Sequence, residues 1–267
     1  MNMMKGKVAL YNFAYHKPGW LDGIANVAKE EPWGKDNKIL ELYLRANFEI
    51  AKAQNKVYED ETNGIAFWKA GWLVNSVSDP IWLVYETNST AKQKWQLKKV
   101  HTGECPIAGQ TKDNFQVRYD PPEFNSAWTL HIEQKNIEHI LDDPRNKERL
   151  VAVFGEKLAG NRHLVFRTVY GELELQRKQE AVITQWFFND YQFLMPLFLT
   201  QPDQVELVAT LTPNQTLKRY EVKTLLLPHY SYAYARAIVK NRAAFASWMM
   251  LSTDELDQTY AEPNLEE

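Results

Sequence analysis

The stretch GIAFWKAGWLVNSVSDPIWLVYETNSTAKQKWQLKKVH, residues 64–101, decides the fold class. Its apolar residues come in short aromatic and β-branched runs: Ile65-Ala66-Phe67-Trp68, Trp72-Leu73-Val74, Ile81-Trp82-Leu83-Val84-Tyr85 and Trp95-Gln96-Leu97. Such side chains suit a pleated, half-buried surface, and the Asn, Ser, Asp and Pro residues between them are turn formers. The stretch predicts an antiparallel meander. Immediately upstream the period changes. Over residues 37–58, Ile39, Leu40, Tyr43, Leu44, Phe48, Ile50 and Ala51 recur at three-to-four spacing with Asp36 in place as an N-cap, which predicts an amphipathic helix. A shorter helix is expected over residues 20–30, held between turns at Pro18-Gly19 and Pro32 to Gly34.

Downstream, residues 115–119 and 128–133 read as strands joined through Asp120-Pro121-Pro122, where two prolines forbid a continuing ladder. At Asp143-Pro144 the period returns to that of a helix: an N-cap, then proline at the first helical position, then Leu150, Phe154 and Leu158. Another helix is expected over 162–177, strands over 183–188, 192–199, 206–211 and 220–227, and a hairpin turn at Asn189-Asp190. A last helix, 230–250, carries Tyr234, Ile238, Phe245 and Trp248. No internal repeat or low-complexity linker divides the chain. The expectation is α+β: antiparallel sheets packed with several helices, one compact unit of two helix-plus-sheet halves over residues 1–250. An acidic tail, 251–267, follows.

Composition narrows the class. Among 267 residues, 45% are hydrophobic and 24% charged, enough apolar surface to offset the ordering entropy of the backbone. The aromatic share, 13%, serves either a packed core or a stacking platform for bases. Cys105 is the single cysteine, so an intramolecular disulfide and a Cys-based zinc site are both excluded, and a reducing compartment is expected. The N-terminal segment lacks the apolar core of a signal peptide, and the most apolar stretch, 181–200, is interrupted by Gln185, Asn189, Asp190 and Gln192. The reading is a cytoplasmic protein with no membrane span, no cofactor and no metal. The chain carries a net charge of −3, but its last seventeen residues hold six carboxylates and no Lys or Arg, so the body is three positive.

Several segments together resemble a bacterial family known as domain of unknown function 3825. They are Leu10-Tyr11-Asn12-Phe13-Ala14-Tyr15, Trp33, Gly71-Trp72-Leu73, Ile81-Trp82, His139-Ile140-Leu141-Asp142-Asp143 with Asn146, and Gln185-Trp186-Phe187 with Gln192, Pro196 and Leu197, followed by Thr224, Tyr232, Ala235 and Arg236. The similarity covers residues 9–250. The resemblance implies an association with RNA metabolism, because relatives are often joined to small RNA-associated modules such as cold-shock or LOTUS-type domains. This chain has His229 where the family usually has Asp, and Ala233-Tyr234 where an Asn pair is usual.

Three constellations offer chemistry. His139 and Asp143 share a helical face within the run His131, Glu133, Glu138, His139, Asp142, Asp143, the geometry of an acid–base pair; the plainer reading makes them surface and capping groups. Lys94, Trp95 and Lys98 would give a strand with phosphate-neutralising lysines and a stacking ring; the plainer reading is a lysine-protected edge with Trp95 in the core. Tyr232 and Arg236, four apart on a helix, would present a phenol and a planar cation to a phosphate or base. With Gln185, Gln192 and Thr224 they form the preferred ligand site. The expected function is an RNA- or nucleotide-associated protein that binds a phosphate-containing ligand through this Tyr/Arg/Gln site. The alternatives are a hydrolase (ribonuclease or phosphoesterase) using His139 and Asp143, and a non-catalytic interaction module.

Overall fold

The 64–101 stretch folds as three long antiparallel strands, the centre of one of two five-stranded sheets. The computed structural model describes residues 9–90, 92–187, 190–240, 245 and 247–249. They divide into two compact units: the first comprises the chain up to Tyr119 and the segment that starts at Arg236, the second Asp120–Ala235 and the short segment that includes Phe245.

In the first unit α1 (Ala9–Phe13) runs directly into β1 (Ala14–Tyr15), and α2 (Trp20–Ala25) and α3 (Lys38–Ala53) precede the meander β2 (Tyr58–Asp60), β3 (Ile65–Val74), β4 (Pro80–Thr87) and β5 (Trp95–Thr102). The sheet order is β1-β5-β4-β3-β2, with β1 parallel to β5 through Ala14↔Trp95 and the other pairs antiparallel. Helix α3 buries the periodic residues as expected, and the Phe48 ring meets Trp68 of β3 at 5.3 Å. On the opposite face Phe67, Trp82 and Val84 form a cluster closed by Tyr58 and Phe115. Asp36 is not the N-cap of α3. It and Asn37 adopt left-handed backbone (φ 54° and 58°), and the Trp33 carbonyl accepts the Ile39 N–H at 2.9 Å in the cap's stead.

Two strand expectations need correction here. The runs at 65–68 and 72–74 belong to one strand, β3, whose register against β4 shifts between Lys69 and Val74, where Gly71 has φ +57°. Residues 115–119 join no sheet. A 3-10 turn, Lys112–Phe115, leads into a segment whose Arg118 backbone is bracketed by the Gln54 side chain: its carbonyl accepts from Nε2 at 2.7 Å and its N–H donates to Oε1 at 2.9 Å. An amide side chain thus satisfies backbone groups that a neighbouring strand would otherwise pair.

The second unit runs β6 (Thr129–His131), α4 (Gln134–Asp142), α5 (Pro144–Ala159), α6 (Arg162–Gln179), then the meander β7 (Ile183–Phe187), β8 (Asp190–Leu197), β9 (Leu207–Asn214) and β10 (Arg219–Leu226). The helix α7 (Pro228–Arg236) follows, its last residue counted in the first unit. Asp143 caps α5 as expected, accepting the Arg145 N–H at 3.0 Å. Gly155 (φ +72°) breaks the helical path, so Leu158 is exposed instead of continuing the Leu150 face. The core packs Val165, Val169 and Leu173 of α6 with Ile140 and Leu150 against Phe193, Met195, Tyr220 and Val222. Each such side chain contributes about 1.5–3 kcal/mol by leaving water. The expected last helix ends at Arg236. Its 241–244, 246 and 250 positions, like Asn189 of the expected hairpin turn and the 251–267 tail, lie outside the described residues.

The two units repeat one topology. Each has a short first strand, then helices, then a four-stranded meander whose last strand takes the first strand as a parallel neighbour: β1 beside β5, and β6 beside β10 through Glu221↔His131. The sequence carries no repeat that announces this. Among the described residues no helix is long and apolar enough to cross a membrane.

Candidate functional site

A lysine sits alone in the apolar run of β3. Strand alternation points Lys69 to the Phe67/Trp82 face, where it is 6% exposed, with Nζ donating to the Gly71 carbonyl and to Gln116 Oε1, both at 2.6 Å. Both acceptors are uncharged, and among the described residues no carboxylate pairs with this ammonium. Burial pulls its pKa down to about 8, and the nearby positive charges of Lys112 and Lys240 pull the same way, with Asp113 opposing. Lys112 and Lys240 are exposed.

Two of these three lysines flank an aromatic pair. The Nζ atoms of Lys69 and Lys240 each lie 5.8 Å from the Trp72 ring centroid, and the Tyr119 ring lies 5.3 Å from Trp72 at 30°. The indole N–H of Trp72 is buried with no acceptor among the described residues. Positioning comes from behind. Tyr43 OH accepts the Trp72 backbone N–H at 2.6 Å and donates to the Ala70 carbonyl at 3.2 Å, while burial lifts its pKa to about 12 against the pull of Arg236 and keeps it a phenol. Asn47 donates to the carbonyls of Tyr43 (2.9 Å) and Ala237 (3.0 Å) and accepts from Tyr119 OH. Two ammonium groups beside the Trp72 ring, the charge of Lys112 close to Lys69, and two half-buried rings make a site for a ligand that joins an anion to a flat apolar body.

The buried cation has a measurable cost. Below pH 8 both states are protonated and the folded chain bears the full burial penalty. Between pH 8 and 10.5 the folded chain has released a proton that the unfolded chain still holds, so stability climbs across that window. Lys69→Met is expected to flatten the climb. The stability difference between pH 7 and pH 10.5, from urea melts, should shrink by about 3 kcal/mol at most relative to the parent chain.

The residues expected to form sites are placed as follows. His139 Nδ1 and Asp143 Oδ2 do meet, at 3.6 Å, on the exposed junction of α4 and α5, with Asp143 also engaged as the cap. Gln185 and Gln192 face each other across β7 and β8, Nε2 donating to Oε1 at 2.9 Å, and Thr224 pairs with Thr210 beyond a bulge in β10. Tyr232 is fully buried, its ring 5.0 Å from Phe245. Arg236 is engaged by an acid. Its Nε and Nη2 donate to the two carboxylate oxygens of Glu31 at 2.6 and 2.8 Å, Nη1 to the Val239 carbonyl at 2.8 Å, and its plane lies over Trp33 and Tyr43. Trp95 offers no stacking face, being 1% exposed with its indole N–H on Glu59 at 2.9 Å; Lys98 is ion-paired with Glu86 at 3.0 Å and Lys94 with Glu61. The three lysines and two rings of the first unit escaped the sequence reading. The signal that marks them is one charged residue, Lys69, inside a ten-residue strand otherwise apolar throughout.

The family model for a domain of unknown function, DUF3825, matches residues 24–244, which include Lys69, Trp72, Lys112, Tyr119 and Lys240. No curated protein and no solved structure matches the chain.

Proposed function

The chain belongs to the DUF3825 family, a domain of unknown function, and from that premise we propose that it is an RNA- or nucleotide-associated protein whose first unit binds a phosphate-bearing ligand. The observation that carries the reading is the buried Lys69 ammonium, which donates to uncharged acceptors, lies with Lys240 beside the Trp72–Tyr119 rings and feels the charge of Lys112. Lysines neutralise phosphate and an aromatic face takes a base, whatever its identity. A cytoplasmic setting belongs to the proposal, since the lone Cys105 has no second cysteine to pair with.

The test is fluorescence anisotropy of a labelled single-stranded RNA oligonucleotide on the full chain at several salt concentrations. Three lysine contacts give a slope of log K against log salt of roughly −2. Lys112→Ala with Lys240→Ala should weaken binding by about tenfold or more, and binding should decline as pH rises through 8 and Lys69 loses its charge. Salt-independent or absent binding sinks the reading. Cleavage of the oligonucleotide in the same assay, lost in His139→Ala, would favour the second reading, acid–base hydrolysis, for which the 3.6 Å contact of His139 and Asp143 speaks. A protein partner in place of RNA would favour an interaction module.

A further inference from the structure

On the second sheet the face turned away from α4, α5 and α6, the one on which Phe187 meets Tyr234 of α7, carries a row of polar side chains near one end of the strands. Tyr220, Val222 and Leu211 point to the helical core, so Glu221 and Thr212, which alternate with them, point the other way. Cross-strand register then sets the row: Gln185 beside Gln192, Thr212 beside Glu221, and His131 on the other flank of Glu221. The β8–β9 ladder closes at Phe193↔Leu211, one residue before Gln192 and Thr212.

Three oxygens in this row are buried with no donor among the described residues: Gln185 Oε1, Thr212 Oγ1 and Glu221 Oε2. Gln185 is 1% exposed and Glu221 5%. A buried acceptor left without a donor costs about 1–3 kcal/mol, more when charged, and a fold keeps such a group where something else satisfies it. Glu221 is also oriented. Its Oε1 accepts from Arg219 Nε at 2.6 Å, which leaves Oε2 aimed away from the pair and the terminal guanidinium nitrogens of Arg219 with no partner among the described residues.

We infer that this end of the row, Glu221 with Arg219 and Thr212, is a second ligand site, one that reads the edge of a nucleobase. The complement of a carboxylate and an adjacent guanidinium is a planar edge with neighbouring N–H donors and a carbonyl acceptor. Among the common bases guanine has that edge: an amino and an imino N–H for Glu221 and a carbonyl oxygen for Arg219. Adenine offers an amino group beside an unprotonated ring nitrogen, which the carboxylate repels. The site stands apart from the lysine–aromatic site in both residues and chemistry. It gives base preference where the lysines give salt-dependent affinity.

Calorimetric titration of the full chain with guanosine, inosine and adenosine monophosphates tests it. The guanine nucleotide should bind best, inosine monophosphate, which lacks the amino group, about tenfold or more weaker, and adenosine monophosphate weaker still. Glu221→Gln should erase the difference between guanine and hypoxanthine, and Lys112→Ala with Lys240→Ala should preserve it even if RNA affinity is lost. Labelled oligonucleotides with a single guanine or inosine show whether the base is read within RNA. Equal affinity for the three nucleotides, no binding of any of them, or an unchanged preference in a Glu221→Gln chain that melts like the parent overturns the assignment. If Glu221→Gln fails to fold, the comparison of the three nucleotides on the parent chain still decides.

Discussion

Replacing Gly71 by alanine is expected to remove about 3–5 kcal/mol of folding stability, enough to unfold a large share of the protein at physiological temperature. Two causes add. The backbone at Gly71 has φ +57°, a left-handed conformation that costs an L-residue about 1–2 kcal/mol. A Cβ there would lie 2.2 Å from Asn47 Oδ1 and 2.5 Å from Tyr43 OH, well inside contact distance. Neither neighbour can retreat. Tyr43 holds the Trp72 N–H and the Ala70 carbonyl, and Asn47 holds the carbonyls of Tyr43 and Ala237, so each atom that moves abandons a buried hydrogen bond. Chemical denaturation of Gly71→Ala measures the loss. A midpoint within about 1 kcal/mol of the parent would mean that the β3 bulge is not as rigid as its hydrogen bonds require.

The second large effect is expected at the Glu31–Arg236 pair. The side chains are 11% and 4% exposed, and the guanidinium is sandwiched over Trp33 and Tyr43. Glu31→Gln or Arg236→Met should each cost about 3–5 kcal/mol, because the surviving charge stays buried without its partner. Glu31→Gln combined with Arg236→Met leaves no orphan charge and should recover a good part of that loss. The sign of the coupling in this double-mutant cycle is the check: single losses that simply add would show the pair to be independent, against the bidentate geometry. Arg236→Met also separates the two roles considered for this residue, since a ligand clamp would lose affinity with stability intact.

The sequence made the helices and most strands legible where pattern and burial agree. Helix α3 was readable because its apolar residues keep their spacing for sixteen residues, and α5 because Asp143-Pro144 is a start signal with a mechanism. Strand β3 looked like two pieces because Lys69 and Gly71 resemble a break, whereas they make a bulge. Residues 115–119 have strand character, yet the group that satisfies Arg118 is the Gln54 side chain, 64 residues away and invisible to any local window. β1 is two residues long, too short for alternation to register, and although β6 falls within the strand expected over 128–133, no local pattern tells that its partner is β10, so the parallel closure of both sheets was unreadable. For the sites the limit is similar. Arg236 is singled out as a ligand residue in the sequence, but its ion pair with Glu31 lies 205 residues away in the chain and no local pattern shows it. Lys69 was legible in principle, since a charge flanked by apolar residues within a strand demands an explanation.

The interleaving of the chain fixes an order of assembly during synthesis. The first unit counts Arg236 and Lys240 among its residues, so it is finished only after all of Asp120–Ala235 has been translated. At about 5–20 residues per second, the meander and α3 exist for several seconds while Glu31 awaits its cation and Asn47 awaits the Ala237 carbonyl. A ribosome that stops short of Arg236 therefore releases a first unit in which Glu31 has lost its guanidinium and Asn47 the Ala237 carbonyl.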